Sequence, residues 1–434
     1  MNDRARFAAA LGFLVLTPAL AAQTIAEFPI PSVGSGPVGI ASGPDGNLWF
    51  TENGFGANKV GQVTVAGIVT EFSIPTTDSR PLFIVAGADN NLWFTEQFAN
   101  KIGRVTTAGV MTEFPISTAS SLPMGIAAGP DGNLWFTEQR GNKIGRITTA
   151  GVITEFDIST ASSLPGGIAP GPDGSLWFTE QSANQIGRIT TTGIIAEFSI
   201  PTAGSNAADI VAGPDGNLWF TEPYGNKISR ITTAGVVAEF TLPTAGSLPE
   251  GIVAGPDGNL WFTEYDGNRI GRITTAGVIT EYSIPTAGSG PTLLALGSDG
   301  NLWFTEQTAN RIARFTPPCT SNDTTLCLSA SRFMVTADFE TADGQKGSAH
   351  ARSITANTGY FWFFDPSNVE VVTKVLPFCA DPFNSIWVFA AGLTNVKVDL
   401  TYTDMENGTV VIKHNDLGTP FAPVQDTSAF KTCP

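Results

Sequence analysis

The sequence predicts an all-β protein, with a seven-bladed β-propeller closed by its N-terminal strand and, after it, a small disulfide-bonded β-sandwich of immunoglobulin-like kind. Three observations support this prediction. One unit recurs seven times, each copy contains four short apolar segments bounded by turn residues, and the repeat ends before a C-terminal segment that holds all four cysteines of the 434-residue chain. A repeat of roughly 40 to 45 residues with four strands is typical of a propeller blade.

The repeat is marked by the string Leu-Trp-Phe-Thr-Glu, whose tryptophans are 44 residues apart once and 42 apart thereafter. In the third copy an apolar segment, 125–128, leads through a turn at 129–132 into this string, and two more apolar segments follow at 142–147 and 152–156. Short apolar runs between Gly, Pro, Asn and Asp indicate strands. Helical repeats are excluded because no segment has apolar residues at 3.6-residue spacing. The seven tryptophans are Trp49, Trp93, Trp135, Trp177, Trp219, Trp261 and Trp303.

The ends of the repeat predict how the ring closes. The fourth-strand pattern, Glu followed by Phe or Tyr, occurs in six copies after the string, and the last unit stops at Phe315-Thr316 without it. The missing copy stands at the front, within Thr24–Pro31. We therefore predict that the N-terminal strand completes blade seven, which removes a free sheet edge.

The first residues have the pattern of a secretory signal peptide. Arg4 and Arg6 precede the apolar stretch 7–16, and Ala19-Leu20-Ala21 matches a cleavage site. No other apolar run is long enough to cross a bilayer. We expect a signal peptide at 1–22, the propeller at 23–316, the sandwich at 317–434, and a secreted or periplasmic monomer.

The net charge and the cysteine content indicate which partners and which cellular compartment are compatible with the chain. The formal charge of −16 argues against nucleic acid, because phosphate backbones repel an acidic chain. An oxidising compartment favours two disulfides in one of three connectivities. Zinc is the alternative, but His350 and His414 have no recognisable ligand spacing. The cysteines are Cys319, Cys327, Cys379 and Cys433.

Within the C-terminal segment, aromatic runs accompany the predicted strands. Trp362 lies in the run 359–366 and Trp387 in a second apolar segment. We interpret both as core residues of the sandwich, and a sugar-stacking platform is the alternative interpretation.

Charges repeated in every blade are interpreted as structural. The aspartate of each first turn is expected to cap nearby backbone N–H groups. The glutamate that ends each second strand is expected to pair with the arginine of the third strand, and a ring of substrate-facing carboxylates is the alternative. The aspartates are Asp45, Asp89, Asp131, Asp173, Asp215, Asp257 and Asp299. The glutamates are Glu52, Glu96, Glu138, Glu180, Glu222, Glu264 and Glu306. The arginines are Arg104, Arg146, Arg188, Arg230, Arg272 and Arg314.

Sequence variation is concentrated on one face, where the chain enters each first strand and where the second and third strands are joined. The residues that follow the first-strand proline are expected to surround the mouth of the central channel: Val38, Leu82, Met124, Gly166, Ala208, Glu250 and Thr292. Departures from the repeat gather in blades five and six, at Asp209, Tyr224, Glu250, Tyr265 and Asp266. Carboxylates and aromatics near one channel mouth predict a site for a polar ligand or a cation, and loop drift is the alternative.

The unit Gly-Pro-Asp-Gly-Asn-Leu-Trp-Phe-Thr-Glu, with the later Asn-Lys-Ile-Gly-Arg-Ile and Val-Ile-Thr-Glu-Phe, resembles the repeat of the virginiamycin B lyase family from Thr24 to Thr316. The resemblance implies a seven-bladed propeller that opens the streptogramin B ring at its ester linkage. It also implies that this elimination is assisted by Mg²⁺ and uses a histidine as base.

According to this resemblance, Glu250 and Thr292 occupy the positions of the family's two catalytic histidines. Val38 occupies the position of a tyrosine in the family's first blade. A glutamate of the family corresponds to Gly290, and another falls near Glu306 or Gln307. The propeller of this chain contains no histidine. Removing a proton from carbon requires a positioned base, which leaves Glu250 as the candidate.

The sequence therefore favours a propeller that binds a ligand or acts as a scaffold, and whether it is an enzyme stays open. The predicted partner is a small molecule, glycan or peptide at the channel mouth, bound by the five departures in blades five and six. One alternative is a streptogramin B lyase in which Asp209 and Glu250 hold Mg²⁺. The other is a metal-dependent lactone or sugar-acid hydrolase.

Overall fold

The computed structural model describes residues 25–317, 319, 321, 323–329, 332–365, 367, 369–378, 385–404 and 409–430. The signal peptide expected at 1–22 lies outside the described residues, as do Cys379 and Cys433. The chain divides into two compact units, one spanning Thr24–Pro317 and the other containing the residues from Pro318 onward. No helix in the described ranges has the length and hydropathy that a membrane span requires.

The first unit consists of seven four-stranded antiparallel sheets. First strands of neighbouring sheets contact one another around a central channel, so each sheet is one propeller blade. The innermost strands are Pro37–Ser42, Pro81–Ala86, Pro123–Ala128, Pro165–Pro170, Ile210–Ala212, Pro249–Ala254 and Pro291–Leu296. The second strands are Leu48–Glu52, Leu92–Glu96, Leu134–Glu138, Leu176–Glu180, Leu218–Glu222, Leu260–Glu264 and Leu302–Glu306. The third strands are Lys59–Val63, Lys101–Val105, Lys143–Ile147, Gln185–Ile189, Lys227–Ile231, Arg269–Ile273 and Arg311–Phe315. The outermost strands are Val69–Ser73, Met111–Pro115, Ile153–Asp157, Ile195–Ser199, Val237–Thr241, Ile279–Ser283 and, for blade seven, Ile25–Pro29.

The N-terminal strand closes the ring, as the repeat predicts. Ile25–Pro29 pairs with Arg311–Phe315 over its whole length, from Ile25 opposite Phe315 to Pro29 opposite Arg311. This strand gives blade seven the same four-stranded sheet as the other six blades. The prediction is confirmed.

Each blade is held by the aromatic pair of its second and outermost strands. All seven tryptophans are fully buried, and in blade three Trp135 stacks on Phe156 with 5.5 Å between ring centroids. The indole N–H of Trp135 donates to the turn aspartate Asp131 at 3.1 Å. Burying such large rings on both faces of every sheet supplies the main hydrophobic stabilisation of the propeller.

The turn aspartates behave as predicted, whereas the predicted pairing of glutamates with arginines is wrong. The carboxylate of Asp131 accepts the backbone N–H of Asn133 at 3.2 Å, which is the expected turn geometry. Antiparallel register sets Arg146 opposite Trp135 and Glu138 opposite Lys143. The third-strand arginines that form ion pairs do so with turn aspartates: Arg104 with Asp89, Arg188 with Asp173, Arg230 with Asp215, Arg272 with Asp257 and Arg314 with Asp299.

A threonine hydroxyl from each second strand links its blade to the next. In blade three, Thr137 accepts the backbone N–H of Gly125 and donates to the carbonyl of Gly166 in blade four at 2.7 Å. The same bond crosses the closure, where Thr305 donates to the carbonyl of Val38 at 2.8 Å. These bonds join the innermost strands of neighbouring blades, and they position the residues at the channel mouth.

The glutamate that ends each second strand is fully buried in all seven blades. In six blades neither of its carboxyl oxygens has a hydrogen-bond partner. Burial, together with the charge of an outer-strand glutamate, raises the pKa of Glu52, Glu96 and Glu138 to about 8, and that of Glu180, Glu264 and Glu306 to about 7. Blade five differs, because the Ser229 hydroxyl donates to Glu222.

The second unit is a sandwich of two five-stranded antiparallel sheets, which confirms the predicted architecture. The first sheet contains Thr325–Leu328, Phe333–Glu340, Lys397–Asp404 and Val410–Asn415, with Lys346–Ser348 paired to Phe333–Glu340. The second sheet contains, in spatial order, His350–Thr355, Thr358–Trp362, Val371–Phe378, Ser385–Gly392 and Val424–Phe430. Buried residues of both sheets, such as Val335, Leu400, Phe361 and Val388, form one core.

The structure contains one disulfide of the sandwich, between Cys319 and Cys327. Because Cys379 and Cys433 lie outside the described residues, the second disulfide stays a prediction. The interpretation of Trp362 and Trp387 as core residues is wrong. Phe361 and Val388, their immediate neighbours, are buried, and strand alternation turns both tryptophans to the opposite face, where they are half-buried.

Candidate ligand site at the channel mouth

A cavity of about 310 Å³ occupies the mouth of the central channel. Of the seven residues that follow the first-strand proline position, all except Gly166 line this cavity. The complete lining is Val38, Asn53, Leu82, Phe83, Met124, Ala208, Asp209, Leu248, Glu250, Tyr265, Thr292, Leu293 and Gln307. Its size and its mixture of apolar walls with a few polar groups are typical of a small-molecule site.

Blade five departs from the repeat where it meets the cavity. It lacks the first-strand proline, and its innermost strand is shortened to Ile210–Ala212. Asp209 therefore stands just before the strand, and its backbone N–H donates to the Thr221 hydroxyl at 3.1 Å. Its carboxylate accepts the backbone N–H of Ile210 at 2.9 Å and that of Ile252 in blade six at 3.0 Å. Burial raises the pKa of Asp209 to about 6 despite these two hydrogen bonds.

Asp209 occupies a second repeat position that reaches the channel, in addition to the one predicted from the sequence. Phe83, Asp209 and Leu293 occupy one repeat position, two residues after the first-strand proline position, and all three line the cavity. They also line a second cavity, of about 440 Å³, that is otherwise walled mostly by isoleucine, alanine, valine and leucine. The other four blades have glycine here, and a Cβ at Gly39 would lie 2.3 Å from the Leu82 carbonyl. The non-glycine residues at this position were the signal in the sequence.

Glu250 is the second carboxyl group of the cavity. The Thr221 hydroxyl donates to its backbone carbonyl at 2.7 Å, which holds the residue in place. Burial, followed by the negative charges of Asp209 and Asp266, raises the pKa of Glu250 to about 7. Among the residues that the structure describes, no Lys, Arg or His forms an ion pair with Glu250 or Asp209. Two acidic side chains that form no ion pair within the described part of the chain make the cavity a site of negative potential.

Of the five predicted ligand-binding residues, the structure brings three together. Tyr265 lines the cavity beside Glu250 and Asp209, and its hydroxyl donates to the Gln307 side chain at 3.2 Å. Tyr224 is 74% exposed and does not line the cavity, nor does Asp266. The reason is an offset of one residue, since Tyr265 and Gln307 directly follow the glutamate of their blades, whereas Tyr224 and Asp266 come one residue later.

A profile of the virginiamycin B lyase family matches residues 20–206 and 126–332. The chain belongs to the virginiamycin B lyase family. Among solved structures, a streptogramin B lyase is 40% identical over 68% of this chain and 97% of its own, with a TM-score of 0.65. Virginiamycin B lyase from Staphylococcus aureus is 40% identical over 68% of this chain and 99% of its own, with a TM-score of 0.65. A catalytically inactive histidine-to-alanine variant of that enzyme, solved with quinupristin, is 39% identical over the same shares, with a TM-score of 0.64. No curated protein is significantly similar to the chain.

Several of the positions that correspond to site residues of the virginiamycin B lyase family are occupied here by other residue types. Thr292 is buried, and its hydroxyl is engaged by Thr305 at 2.6 Å. Gly290 has a φ of +63°, and a Cβ there would lie 2.5 Å from the Thr308 hydroxyl, so a side chain at this position would be strained and would require Thr308 to move. Glu306 belongs to the seven buried glutamates, and Gln307 is the residue of blade seven that lines the cavity.

The described residues do not fit the Mg²⁺ that the virginiamycin B lyase family implies. No group of three or more His, Cys, Asp or Glu side chains able to hold a metal occurs in the described part of the chain. Asp209 and Glu250 are the two carboxyls in the cavity lining, and both oxygens of Asp209 already accept backbone N–H groups. The described lining of the cavity therefore supplies no third carboxyl group beside these two.

Proposed function

We propose that this member of the virginiamycin B lyase family binds a small molecule with an ammonium group at its channel mouth and does not catalyse the family's elimination. The single observation that carries the proposal is the pair Glu250 and Asp209, whose acidic side chains line a 310 Å³ cavity with no ion pair to a basic side chain among the described residues. A ligand cation would supply the missing positive charge. The Cys319–Cys327 disulfide supports a location outside the cytosol.

The walls of the cavity favour an organic ammonium over a metal ion. Tyr265 and Phe83 are the aromatic residues of the cavity lining, and Val38, Leu82 and Met124 are among its apolar residues. An ammonium group gains from aromatic faces and from nearby carboxylates, without requiring several oxygen ligands at fixed angles. The lining therefore matches a cation that carries apolar groups.

Binding of choline to the full-length mature protein, measured by calorimetry, tests this proposal. We expect 3,3-dimethylbutanol, the neutral isostere of choline, to bind at least about tenfold more weakly, since it lacks the charge. Glu250→Gln is expected to weaken choline binding by about tenfold. Asp157→Asn removes an exposed carboxylate outside the cavity and is the charge-matched control.

The pH dependence of choline affinity checks the same site. Because a cation binds the ionised carboxylates, affinity is expected to fall as the pH is lowered through the pKa of Glu250 at about 7 and that of Asp209 at about 6. Glu250→Gln removes the step near pH 7 and leaves the lower one. No heat of binding with millimolar choline, or equal binding of the neutral isostere, would contradict the proposal.

A second candidate function is elimination with Glu250 as the base, and one observation favours it. A pKa of about 7 lies in the range that suits a general base at neutral pH. Quinupristin, which is present in one of the family structures, is the direct probe.

Quinupristin is to be incubated with the protein, with and without Mg²⁺, and analysed by chromatography with fragmentation, because elimination opens the ring without a change in mass. We expect the compound to stay intact. Ring opening that is lost in Glu250→Gln would instead establish the elimination and refute the proposal of binding alone.

A further inference from the structure

We propose that the outward face of the second sheet of the sandwich binds a glycan that carries carboxylate groups. The inference concerns the C-terminal unit and does not rest on the function proposed for the propeller. The face includes Trp362, which was predicted to be a core residue and which the structure turns outward.

Strand alternation defines this face. Phe361, Val371 and Val375 are buried in the core of the sandwich. Their neighbours along the same strands, Tyr360 and Trp362 on one strand and Val372 on the next, therefore point away from the core. Register places Tyr360 between Arg352 and Val372, so these residues form one row across three strands.

Aromatic rings cluster at one end of the face. Trp362 stacks on His350 with 5.3 Å between ring centroids and an interplanar angle of 19°, and Tyr360 lies 5.7 Å from Trp362. Trp362 and Tyr360 are half-buried, His350 is exposed, and Val372 is 37% exposed. Rings that are held by one another and still reach the surface offer a rigid apolar platform, on which the C–H face of a sugar ring can pack with little loss of side-chain entropy.

Two cations flank this platform. Arg352 is in the same row as Tyr360, and Lys374 follows Val372 by two residues on the same face, a separation of about 7 Å. Both are exposed, and in the part of the chain that the structure describes neither has an ion-pair partner. The lysines of the other sheet are all paired, Lys346 and Lys397 with Glu340 and Lys413 with Asp426.

This contrast between the two sheets identifies the chemistry of the partner. A chain with a net charge of −16 leaves two cations uncompensated beside its outward aromatic cluster. A neutral glycan would use the rings and leave both cations without a counter-charge. Nucleic acid would also stack, but its dense phosphates are repelled by the acidic chain. A sugar polymer with one carboxylate per ring matches both the rings and the cations.

Affinity electrophoresis of the full-length protein in gels that contain polygalacturonate tests the inference, with neutral dextran as the reference polymer. We expect retardation by polygalacturonate that weakens as salt is added, because exposed charges are screened. Trp362→Leu, which keeps apolar volume without a ring, and the double variant Arg352→Gln with Lys374→Gln are each expected to weaken binding by about tenfold.

Matched controls are available on the other sheet. Lys397→Gln removes a half-buried lysine and Ile412→Ala removes an exposed apolar side chain, so both variants are expected to bind as the wild type does. Thermal unfolding verifies that Trp362→Leu is folded. Because Arg352 and Lys374 are exposed, the double variant tests the inference even if Trp362→Leu does not fold. Absence of retardation, equal retardation by dextran, or wild-type binding by the charge-neutralised double variant would overturn the inference.

Discussion

Deletion of residues 25–29 is expected to prevent formation of a closed, monomeric propeller. This strand supplies the whole outer edge of blade seven, and Phe28 stacks on Trp303 with 5.4 Å between ring centroids. Glu27 also accepts the backbone N–H of Thr286 at 3.3 Å and bonds to Arg311. Without the strand, Arg311–Phe315 becomes an unpaired edge and Trp303 loses its cover.

The expected loss is comparable with the stability of the entire fold. Removing a packed aromatic side chain alone costs about 3 kcal/mol, and the edge strand adds its backbone pairing to that cost, against a total of about 5–15 kcal/mol for a native protein. Size-exclusion chromatography is expected to show aggregates, because exposed sheet edges pair with one another. Near-ultraviolet circular dichroism is expected to show loss of fixed tryptophan packing.

Complementation distinguishes a missing strand from general damage to the chain. A synthetic peptide with the sequence of residues 24–31, added during refolding, is expected to restore a monomer, and the same peptide with Phe28→Ala is expected to restore much less. A truncated protein that remains monomeric and unfolds at the wild-type denaturant concentration would show that closure by this strand is dispensable.

The second large effect is a fall in the free energy of unfolding as the pH rises from about 5 to about 9. The glutamates that end the second strands are buried, and in six of the seven blades neither carboxyl oxygen has a hydrogen-bond partner. Their pKa values are raised to about 7 or 8, with Glu222 raised less through its bond to Ser229. In the unfolded chain these groups return to their ordinary pKa near 4.5.

The sign follows from which state binds more protons. From about pH 4.5 up to about pH 7 or 8, according to the group, the folded protein keeps these carboxyls protonated while the unfolded chain releases the protons. The free energy of unfolding therefore falls as the pH rises. Each group contributes at most about 1.4 kcal/mol per pH unit in this window, and the contributions of the six groups have the same sign. In strong acid the opposite holds for carboxyls whose pKa is lowered, such as Asp131 and Glu113, so stability is expected to be greatest near pH 5.

A single substitution isolates the effect within one blade. Glu138→Gln replaces the acid with a neutral group of the same shape and is expected to raise the unfolding free energy by about 2 kcal/mol near pH 8.5, with little change near pH 5. Glu222→Gln is the matched control, because the Ser229 hydroxyl already stabilises that carboxylate and the gain should be smaller. Urea titrations across this pH range measure both values. A destabilised Glu138→Gln near pH 8.5 would mean that folding does not raise the pKa of this carboxyl.

Several features of the fold followed from local patterns in the sequence. The turn aspartate Asp131, the buried Trp135 and the outer-strand Phe156 lie within one repeat, so their roles could be inferred from spacing and residue type. The ring closure was also predictable, because Glu27-Phe28 repeats the fourth-strand pattern that the last unit lacks.

Other sequence-based predictions were wrong where the contacts of a residue depend on strand register or on the side of the sheet to which its side chain points. Glu138 and Arg146 lie on adjacent strands, but antiparallel register sets Arg146 opposite Trp135. Tyr224 differs from Tyr265 by one position in its loop, and this offset removes it from the cavity lining. Trp362 follows and precedes phenylalanines, so the run of aromatics did not show which of them the sandwich buries.

The sequence by itself determined the blades, their number and the strand that completes the ring, because each of these depends on contacts between residues that are close within a repeat or on the count of repeats. Only the tertiary structure decided the chemistry of the channel mouth. Asp209 and Glu250 come from different blades, and ring closure sets them in one cavity. Burial raises the pKa of both groups, and the cavity that they share is also lined by side chains from blades one, two, three, six and seven. The environment of these two carboxyl groups is formed by residues that are far apart in the sequence, so it cannot be inferred from a local sequence pattern.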